Sequence, residues 1–450
     1  MKIIVIGDGK VGKTIIEHLA NEGHDLIVID NDPKVIEECV NTYDVRGICG
    51  NGANYDTQLE AGVDTSDLVI AVTNSDELNI LCCLVAKKIG TKQTIARVRN
   101  PEYNGQIYHM IDELGLSMVV NPEYDAAHEI SRILRFPSAI KIESFAQGKV
   151  DLVEIKLDES SPLVGKSLTS IHEKYQITVV ICAVLRDDKV YIPRGDFILQ
   201  PGDEIYITAS PLEITKLFKK LNILKEKIKD VIIVGGGKIT YYLALQLDKL
   251  GIKLKIIEKD YNRCLALSEA FPNAIVIHGD GTNQTLLMDE GLDSTDALVS
   301  VTGIDEENII MSMFANTRHI DKIVTKVNRD IYGNILEIAG LDTIISPRDI
   351  AIGNIVRHVR GMETERGSEF RTLYKLVNNR VEALEFYISK DADYLNIPLK
   401  DLNINSNTLI ASIIRNGQVI IPNGNDVILE SDTIIVVSTL QIKDVSGVFK

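Results

Sequence analysis

The chain contains closely similar segments twice, about half its length apart. GNGANYDTQLEAGVDTSDLVIAVTNSDELN at Gly50–Asn79 returns as GDGTNQTLLMDEGLDSTDALVSVTGIDEEN at Gly279–Asn308. KIIVIGDGKVG at Lys2–Gly12 returns in the same way as DVIIVGGGKIT at Asp230–Thr240. Equivalent residues are separated by 228 to 229 positions. A repeat of this kind restricts the possible folds, because both copies are expected to form the same structural unit.

A second pair of similar segments follows these copies. VYIPRGDFILQPGDEIYI at Val190–Ile207 matches VIIPNGNDVILESDTIIV at Val419–Val436. The order is therefore A-B-A′-B′, a larger domain followed by a smaller one, twice. We expect domain boundaries at 1–140, 141–228, 229–363 and 364–450.

Within the first copy, short apolar runs alternate with helical patterns. Strands are predicted at 2–6, 25–30, 44–49, 67–73, 94–98 and 117–120, and helices near 10–22, 33–41, 54–61, 76–89 and 104–114. This alternation favours an α/β fold with a Rossmann-like, doubly wound parallel sheet. A further helix in Asn121–Pro137 should link it to a small α+β domain, in which RDDKV, PRGD and QPGDE form turns between antiparallel strands.

The glycine-rich stretch after the first predicted strand, GDGKVGKT at Gly7–Thr14, fits two phosphate-binding patterns. As G-x-x-x-x-G-K-T it is the P-loop of an ATPase or GTPase. As G-x-G-x-x-G it is the dinucleotide-binding turn of a Rossmann fold. Both patterns place backbone N–H groups against phosphate at a helix N-terminus. The first predicts hydrolysis, and the second predicts a nucleotide that is bound intact.

The position of an acid favours the Rossmann turn. The predicted strand LIVID ends in Asp30, 18 residues after Gly12. Rossmann folds carry an acid about 20 residues after the glycine turn, where its carboxylate binds ribose hydroxyls. Gly12, the third glycine, allows the helix to pack closely on the strand. Asp30 also favours an unphosphorylated ribose, hence NAD(H) or an adenine nucleotide over NADP.

The repeat supports the same interpretation. The second copy keeps two of the glycines and the acid, as Gly235, Gly237 and Glu258. It has Thr240-Tyr241-Tyr242 in place of Gly-Lys-Thr, so the P-loop motif is not repeated. The change at Thr240 predicts a weaker or altered second site.

Three further loops follow predicted strands and should complete the crevice. They are GNGA at Gly50–Ala53, VTNSDE at Val72–Glu77 and ARVRN at Ala96–Asn100. Thr73 and Asn74 could hydrogen-bond ribose or phosphate, although Asn74 or Ser75 would serve equally well as a helix N-cap. Arg97 or Arg99 could stack on adenine or pair with phosphate, or be solvated at the edge of the sheet.

Composition narrows the classes of function. The formal net charge of −16 argues against nucleic acid, whose binders carry basic patches. It is compatible with a basic partner, such as the cytoplasmic loops of a membrane protein. No apolar run reaches the roughly 18 residues of a transmembrane helix and the N-terminus lacks a signal peptide, so we expect a cytoplasmic location. The six cysteines lack a C-x-x-C pair, which favours free, mostly buried thiols and no metal site.

Two classes of enzyme compete with a pure binding role. An NAD-dependent oxidoreductase needs an acid or base near the nicotinamide, but the first small domain offers only His172, on a predicted helix face. An ATPase would use Lys13 and Thr14, yet that motif is not repeated and no metal-holding strand is evident. We expect a protein without catalytic residues, with the oxidoreductase and, behind it, the ATPase as alternatives.

Several of these motifs together resemble the TrkA family. They are the strand with GDGKVG, the acid Asp30, GNGA, AVTNSDELN, ARVRNPEY and the IPRG…L.PGD tail. The resemblance covers the whole chain in the order N1-C1-N2-C2, and the tandem duplication is its specific part. It implies RCK (KTN) modules, in which two Rossmann-like RCK-N domains are each followed by a small α+β RCK-C domain.

The resemblance also implies which positions contact a nucleotide. Phosphates and ribose would be held by the first glycine turn and its acid, namely Gly7, Asp8, Gly9, Lys10, Val11, Gly12 and Asp30. The rest of that crevice would be lined by Asn51, Thr73, Asn74 and Arg97. The matching positions in the second half are Gly235, Gly236, Gly237, Lys238, Ile239, Glu258, Asp280, Thr302 and Lys326.

For function, the resemblance implies a regulatory subunit that binds NAD(H) or ATP/ADP and gates potassium flow. The modules would form a homo-oligomeric ring, expected to be a tetramer, that docks on a TrkH- or TrkG-like membrane subunit. A nucleotide would shift the ring by binding its conformations unequally. Apolar helix faces near 121–135 and 346–358 are candidate subunit contacts, with packing inside the chain as the alternative. A cyclic dinucleotide in the RCK-C domains or a cation between subunits is left open.

Overall fold

The structure is a computed structural model. Its helices and strands belong to two compact units. One unit joins Met1–Ser131 with Lys229–Val356, and the other joins Arg132–Ile228 with Arg357–Lys450. Each half of the chain therefore contributes to both units. The structure describes residues 1–107, 109–135, 141–145, 150–176, 178–221, 228–329, 336, 338–341, 343–364, 370–376, 380–388, 393–405, 407–440, 442 and 445–449.

The first domain is a six-stranded parallel sheet with connecting helices. Its strands are β1 (Lys2–Ile6), β2 (Asp25–Asp30), β3 (Arg46–Cys49), β4 (Leu68–Ala71), β5 (Gln93–Arg97) and β6 (Met118–Val120). Its helices are α1 (Lys10–Asn21), α2 (Pro33–Thr42), α3 (Tyr55–Glu60), α4 (Asp76–Ile89), α5 (Pro101–Ile107) and α6 (Pro122–Arg135). The order β3-β2-β1-β4-β5-β6 reverses beside β1, which is the Rossmann arrangement. It confirms the predicted fold class.

The buried strands explain the continuous apolar runs in the sequence. Helices cover both faces of a doubly wound parallel sheet, so its central strands have no solvent-facing side. Residues Ile3–Ile6 of β1 are at most 1% exposed. Helix α1 buries Ile15, Ile16 and Leu19, spaced three and four residues apart, which is the period of a helix face.

The first small domain contains an antiparallel sheet with two helices. Its strands are β7 (Lys141–Phe145), β8 (Val150–Lys156), β9 (Val180–Arg186), β10 (Lys189–Tyr191) and β11 (Glu204–Ala209), in the order β10-β9-β11-β8-β7. The helices are α7 (Leu168–Tyr175), which carries His172, and α8 (Pro211–Leu221). Asp187 and Asp188 join β9 to β10 with φ of 47° and 60°. Two positive φ values in succession define the tight hairpin turn predicted from RDDKV.

The second half repeats both architectures. Its parallel sheet has the order β14-β13-β12-β15-β16-β17, which corresponds strand by strand to the first sheet. These strands are β12 (Asp230–Val234), β13 (Lys253–Glu258), β14 (Ile275–His278), β15 (Ala297–Ser300), β16 (Lys322–Lys326) and β17 (Ile344–Ile345). The helices are α9 (Lys238–Asp248), α10 (Tyr261–Ala270), α11 (Gln284–Asp289), α12 (Asp305–Thr317) and α13 (Pro347–Thr364).

The second small domain again has an antiparallel sheet, in the order β18-β19-β22-β20-β21. Its strands are β18 (Phe370–Leu376), β19 (Val381–Tyr387), β20 (Thr408–Arg415), β21 (Gln418–Ile420) and β22 (Thr433–Ser438). Counted from β7 and from β18, the two small sheets have the same strand order. The duplication seen in the sequence therefore extends to the topology of both domain types.

The two small domains share an apolar core. Successive residues of a strand point to opposite faces of the sheet. In β8, Val153 and Ile155 pack in the core of their own domain, while Leu152 packs in the shared core. The shared core contains Val150, Leu152, Cys182, Ala183 and Tyr206 from the first half, with Val381, Ala383, Ala411, Ile414, Ile435 and Val437 from the second. Each sheet is therefore buried on both faces.

Two expectations need correction. The helix predicted near 104–114 is α5 at Pro101–Ile107, and residues 109–115 form turns. The early start has a local cause: Pro101 occupies the first helical position, and Asn100 Oδ1 accepts the Glu102 N–H at 3.1 Å, as a capping residue does.

The two apolar helix faces offered as subunit contacts are already covered within the chain. The apolar face of α6 includes Ala127 and Ile130, and that of α13 includes Ala351 and Ile355. Each of these four residues is 0% exposed. Packing inside the chain, the stated alternative, is what the structure has. Among all the described residues, no helix is long and apolar enough to cross a membrane.

Candidate functional site

The first and third glycines of the turn between β1 and α1 are required by the backbone. Gly7 has a φ of +97°, a conformation that glycine adopts without strain. A Cβ on Gly12 would lie 1.9 Å from the Gly7 carbonyl oxygen. Gly9 differs, since a Cβ there would have no atom within 4 Å. The middle glycine therefore faces open space, where a ligand can approach the backbone.

The helix that follows the turn presents unpaired donors to this space. Helix α1 begins at Lys10, after Gly9 as its N-cap. Its first intrahelical bond runs from the Lys13 N–H to the Gly9 carbonyl, 2.9 Å. The N–H groups of Lys10, Val11 and Gly12 precede that bond and have no partner within the helix. Such groups form a site for phosphate oxygens.

Asp30 is held at the edge of the same space. It is the last residue of β2, and its Oδ2 accepts the Asp8 N–H at 2.8 Å. Its Oδ1 accepts the Asp32 N–H at 3.0 Å. Each carboxylate oxygen has a second lone pair, so both can still accept a ribose hydroxyl. The Asp8 N–H is already used in this contact, which leaves phosphate binding to the residues after it.

Asp8 itself is buried beside the Cys39 thiol of α2. Burial raises the pKa of the Asp8 carboxyl, contact with the Cys39 thiol opposes the shift, and the charge of Asp30 adds to it. Burial and the Asp8 charge raise the pKa of Cys39 to about 12. Cys39 is therefore an unreactive thiol, as predicted for most of the cysteines. Of the six, only Cys49 is exposed.

Asn79 joins the loops on the far side of the crevice. Its Oδ1 accepts the Thr73 N–H at 2.8 Å and the Thr73 hydroxyl at 2.7 Å. Its Nδ2 donates to the Arg97 carbonyl at 2.9 Å, and the residue is 0% exposed. Sequence reasoning assigned Asn79 no role. The available signal was its recurrence as Asn308 at the end of the repeated segment.

The two arginines of the ARVRN loop have different positions. Arg97 lines the crevice and donates through Nη2 to the Thr73 carbonyl at 2.5 Å. Its Nε is buried and has no partner among the described residues, and burial lowers the pKa of its guanidinium. Arg99 instead donates to the Asn74 carbonyl at 2.9 Å and pairs with Asp76 at 3.4 Å. Arg97 is thus the arginine that lines the crevice, whereas Arg99 holds the neighbouring loops together.

These groups surround a crevice of about 390 Å³, within the range of small-molecule sites. Predicted residues that line it are Gly7, Gly9, Lys10, Val11, Asp30, Asn51, Thr73, Asn74 and Arg97. Asp8 and Gly12 lie behind this surface. Gly50, Gly52 and Val72 also line it, from the loops predicted to complete the crevice, and the lining residues outside these predictions are Ile6, Ile29, Asn31 and Leu78. We call this set of lining residues the first crevice.

Lys13 and Thr14, the P-loop residues of the alternative interpretation, do not line the first crevice. Lys13 Nζ pairs with Glu38 of α2 at 2.5 Å, and the Thr14 hydroxyl donates to the Lys10 carbonyl at 3.1 Å. Ser75 is the N-cap of α4, with Oγ accepting the Leu78 N–H at 3.2 Å. Asn74 is therefore not needed as the cap.

The second half reproduces this arrangement at the residues predicted for a second site. We call this set the second site: Gly235–Ile239, Glu258, Asp280, Thr302 and Lys326. Gly235 has a φ of +102°. Glu258 accepts the N–H groups of Gly236 and of Asp260, the latter at 2.7 Å. Asn308 Oδ1 accepts the Thr302 N–H at 2.9 Å, and its Nδ2 donates to the Lys326 carbonyl at 3.1 Å. Burial lowers the pKa of Lys326.

The second site also differs from the first in its side chains. Thr240, at the position of Gly12, is 0% exposed and its hydroxyl donates to the Gly235 carbonyl. Arg263 Nε donates to the Gly236 carbonyl. Lys259 pairs with Asp280 at 2.8 Å and holds the pKa of Asp280 down at about 2. Whether these differences weaken or alter nucleotide binding at the second site stays a prediction.

The fold and the two sites define a tandem protein with two Rossmann-like domains and two small α+β domains. Models of the TrkA-N domain match residues 3–122 and 231–347, and models of the TrkA-C domain match 152–222 and 383–443. The chain is 30% identical to the Trk system potassium uptake protein TrkA of Vibrio alginolyticus, over 100% of this chain and 99% of that relative. The chain therefore belongs to the TrkA family.

Solved structures show the same fold. The GsuK channel bound to NAD superposes with a TM-score of 0.64 at 16% sequence identity, over 97% of this chain and 76% of that chain. GsuK bound to ADP gives a TM-score of 0.50 at 15% identity, over 81% of this chain and 69% of that chain. At these identities the likeness concerns the fold. Among the described residues, no group of three or more His, Cys, Asp or Glu side chains could hold a metal ion.

Proposed function

We propose that this chain is the nucleotide-binding regulatory subunit of a Trk-type potassium uptake system. In this proposal NAD(H), ATP or ADP binds the first crevice and controls a potassium-transporting membrane subunit. The observation that carries it is the convergence of the open Gly9 backbone, the α1 N-terminus and Asp30 on one crevice. The name of the Vibrio relative supports the link to potassium uptake.

Different lining residues would contact different parts of the nucleotide. The N–H groups of Lys10 and Val11 would bind phosphate, with the Lys10 ammonium adding positive charge. Asp30 would accept hydrogen bonds from the ribose hydroxyls, and its negative charge would disfavour a 2′-phosphate. The Arg97 guanidinium, which lines the crevice, would donate to a phosphate or a base. That GsuK structures hold NAD and ADP supports both ligand classes.

A regulatory role requires two conformations with different nucleotide affinities. A ligand shifts an equilibrium only by the difference between its affinities for the two states. The loops carrying Thr73 and Arg97 belong to different strands, so a ligand that contacts both can favour one arrangement of these loops. We propose that several RCK modules form a ring and transmit this preference to a TrkH- or TrkG-like subunit at the cytoplasmic face of the membrane.

The proposal is tested first by calorimetric titration of the full chain with ATP, ADP, NAD and NADH. Asp30→Ala should weaken binding about tenfold, since it removes two hydrogen bonds made to a charged group. Asp25→Ala is the matched control, because Asp25 is the exposed residue at the other end of the same strand. Unchanged affinity in Asp30→Ala would refute the assigned ribose contact.

The regulatory part is tested by potassium flux through the membrane subunit in proteoliposomes. Nucleotide should change the flux with the wild-type chain and with Asp25→Ala, and should have little effect with Asp30→Ala. Hydrolysis and hydride-transfer assays accompany the titration. Sustained hydrolysis or hydride transfer would show that the chain is an enzyme and would contradict the proposed regulatory role.

A further inference from the structure

The second copy of the repeat has a tyrosine where the first copy has part of its apparent P-loop. Tyr242 of α9 lies at the position of Thr14 of α1. Thr14 is partly exposed and bonds only within its own helix, whereas Tyr242 is 2% exposed. Tyr242 lies one helical turn after Lys238, the first residue of α9. A buried phenol therefore follows directly on the second glycine turn.

The Tyr242 side chain is buried against the first Rossmann-like domain. Its hydroxyl accepts the Asn121 Nδ2–H at 2.9 Å and donates to the Arg99 carbonyl at 3.1 Å. Its ring packs edge-to-face on Tyr124, with centroids 5.4 Å apart. A phenol has one proton to donate. Because the Asn121 amide is itself a donor, the Tyr242 proton must point to the Arg99 carbonyl.

The Arg99 carbonyl belongs to a loop that shapes the first crevice. The N–H groups of Arg99 and Asn100 both donate to Asp76 Oδ2 at 2.8 Å, and the Arg99 guanidinium donates to the Asn74 carbonyl. Asn74 and Arg97 both line the crevice. The loop is thus held from one side by Asp76 and from the other side by Tyr242 of the second domain.

We propose that Tyr242 is a positioning residue of the first crevice, contributed by the second Rossmann-like domain, and that it links nucleotide affinity there to the second glycine turn. The link is a single helical turn of α9, which is too short to bend freely. A displacement of the second turn would move the phenol and, with it, the Arg99 backbone. This inference rests on the proposed binding function of the first crevice. It also accounts for a tyrosine at a position where the first copy has threonine.

The test compares two neighbouring tyrosines in the full-length chain. Tyr242→Phe removes both hydrogen bonds and keeps the ring packed on Tyr124. Tyr241→Phe is the control, because it removes the neighbouring phenol hydroxyl of a partly exposed residue and keeps the ring that packs on Phe271 and Tyr242. We titrate each variant with ATP and with NADH by calorimetry. The first crevice is identified as the binding that Asp30→Ala removes.

We expect Tyr242→Phe to weaken first-crevice binding by roughly fivefold, the loss typical of one to two net hydrogen bonds. Tyr241→Phe should bind as the wild type does. Unchanged affinity in Tyr242→Phe would overturn the proposal, even with a lowered Tm, since a purely structural role would lower the Tm alone. If the wild type itself binds neither ATP nor NADH, the proposed function fails instead.

A double-mutant cycle tests the link to the second site. Glu258 accepts the Gly236 N–H, so Glu258→Ala disturbs the second glycine turn without touching the first crevice. We expect it to change first-crevice affinity in the wild-type background by roughly twofold to fivefold and to have no effect in Tyr242→Phe. Equal effects in both backgrounds would overturn the link between the two sites.

Discussion

The three glycines of the first turn have separate physical tasks, and these can be measured one residue at a time. In Gly12→Ala the new Cβ would lie 1.9 Å from the Gly7 carbonyl oxygen and 2.9 Å from its carbon. Both are backbone atoms, so α1 must move away from the turn. We expect a loss of about 3 kcal/mol in the free energy of unfolding, measured by urea denaturation.

Gly9→Ala is the matched control for this prediction. Its Cβ meets no atom within 4 Å, and its φ of −71° suits any residue. Stability should stay close to wild type, while nucleotide affinity should fall because the methyl group occupies the space in which phosphate approaches the backbone. Wild-type stability in Gly12→Ala would contradict this account of the turn.

The buried Asp8 carboxyl should make stability depend on pH. Its pKa is raised in the folded protein, chiefly by burial, so the folded state holds this proton more tightly than the unfolded state. The Asp8 contribution to stability therefore falls as pH rises from the ordinary carboxyl pKa through the raised folded value, and the penalty persists at neutral pH.

Asp8→Asn removes this penalty. Its free energy of unfolding should exceed that of the wild type at pH 7, and the difference should shrink as pH is lowered to about 3, where both side chains are neutral. Thermal unfolding across this range is the measurement. Glu37→Gln, an exposed site on α2, should show no such trend. A destabilised Asp8→Asn at neutral pH would mean that the carboxylate is better stabilised than its burial indicates.

Among the structural elements, the loops after β4 and β5 depend on one buried amide. Asn79→Ala removes three bonds to Thr73 and one to the Arg97 carbonyl. We expect a loss of about 2 kcal/mol in stability, since buried groups are left unpaired, together with weaker nucleotide binding in the first crevice. Chemical denaturation and calorimetry measure the two effects.

The duplicated chain supplies its own control for this element. Asn308→Ala removes the equivalent bonds to the backbone of Thr302 and Lys326 and should cost similar stability. First-crevice binding should stay much closer to the wild-type value than in Asn79→Ala. Equal losses of binding in both variants would show that general destabilisation, and not the loop, sets the affinity.

The same elements show what could be predicted from the sequence. The strand, glycine turn, helix and acid of the first crevice lie within 30 residues, so local patterns place Gly7, Gly9 and Asp30 correctly relative to each other. The role of Asn79 follows from contacts between two loops, which no local pattern records. Tyr242 bonds to Asn121 and Arg99, which precede it in the chain by 121 and 143 positions. Only folding brings these residues together.

In the whole molecule, the two halves of the chain pair domain by domain like two copies of one protein. The shared core of the small domains takes residues from both halves, and β8 shows the division: Val153 packs in its own domain, Leu152 in the shared core. A chain that ends at residue 228 would expose this apolar face. Because the two faces are built from equivalent strands, such a face can pair with a second copy of itself.

We therefore expect residues 1–228, expressed alone, to form a dimer when their mass is measured by light scattering. Leu152→Asp in the same half-chain places a charge on the exposed face and should shift the mass to that of a monomer, because a buried unpaired carboxylate is costly. Glu159→Gln, in an exposed loop, is the control and should leave the dimer intact. Leu157→Asp is not suitable as a control, because Leu157 packs in the core of its own domain. If the wild-type half-chain is a stable monomer, the two small domains associate only because they are linked in one chain. The tandem chain would then not be equivalent to a pair of single modules.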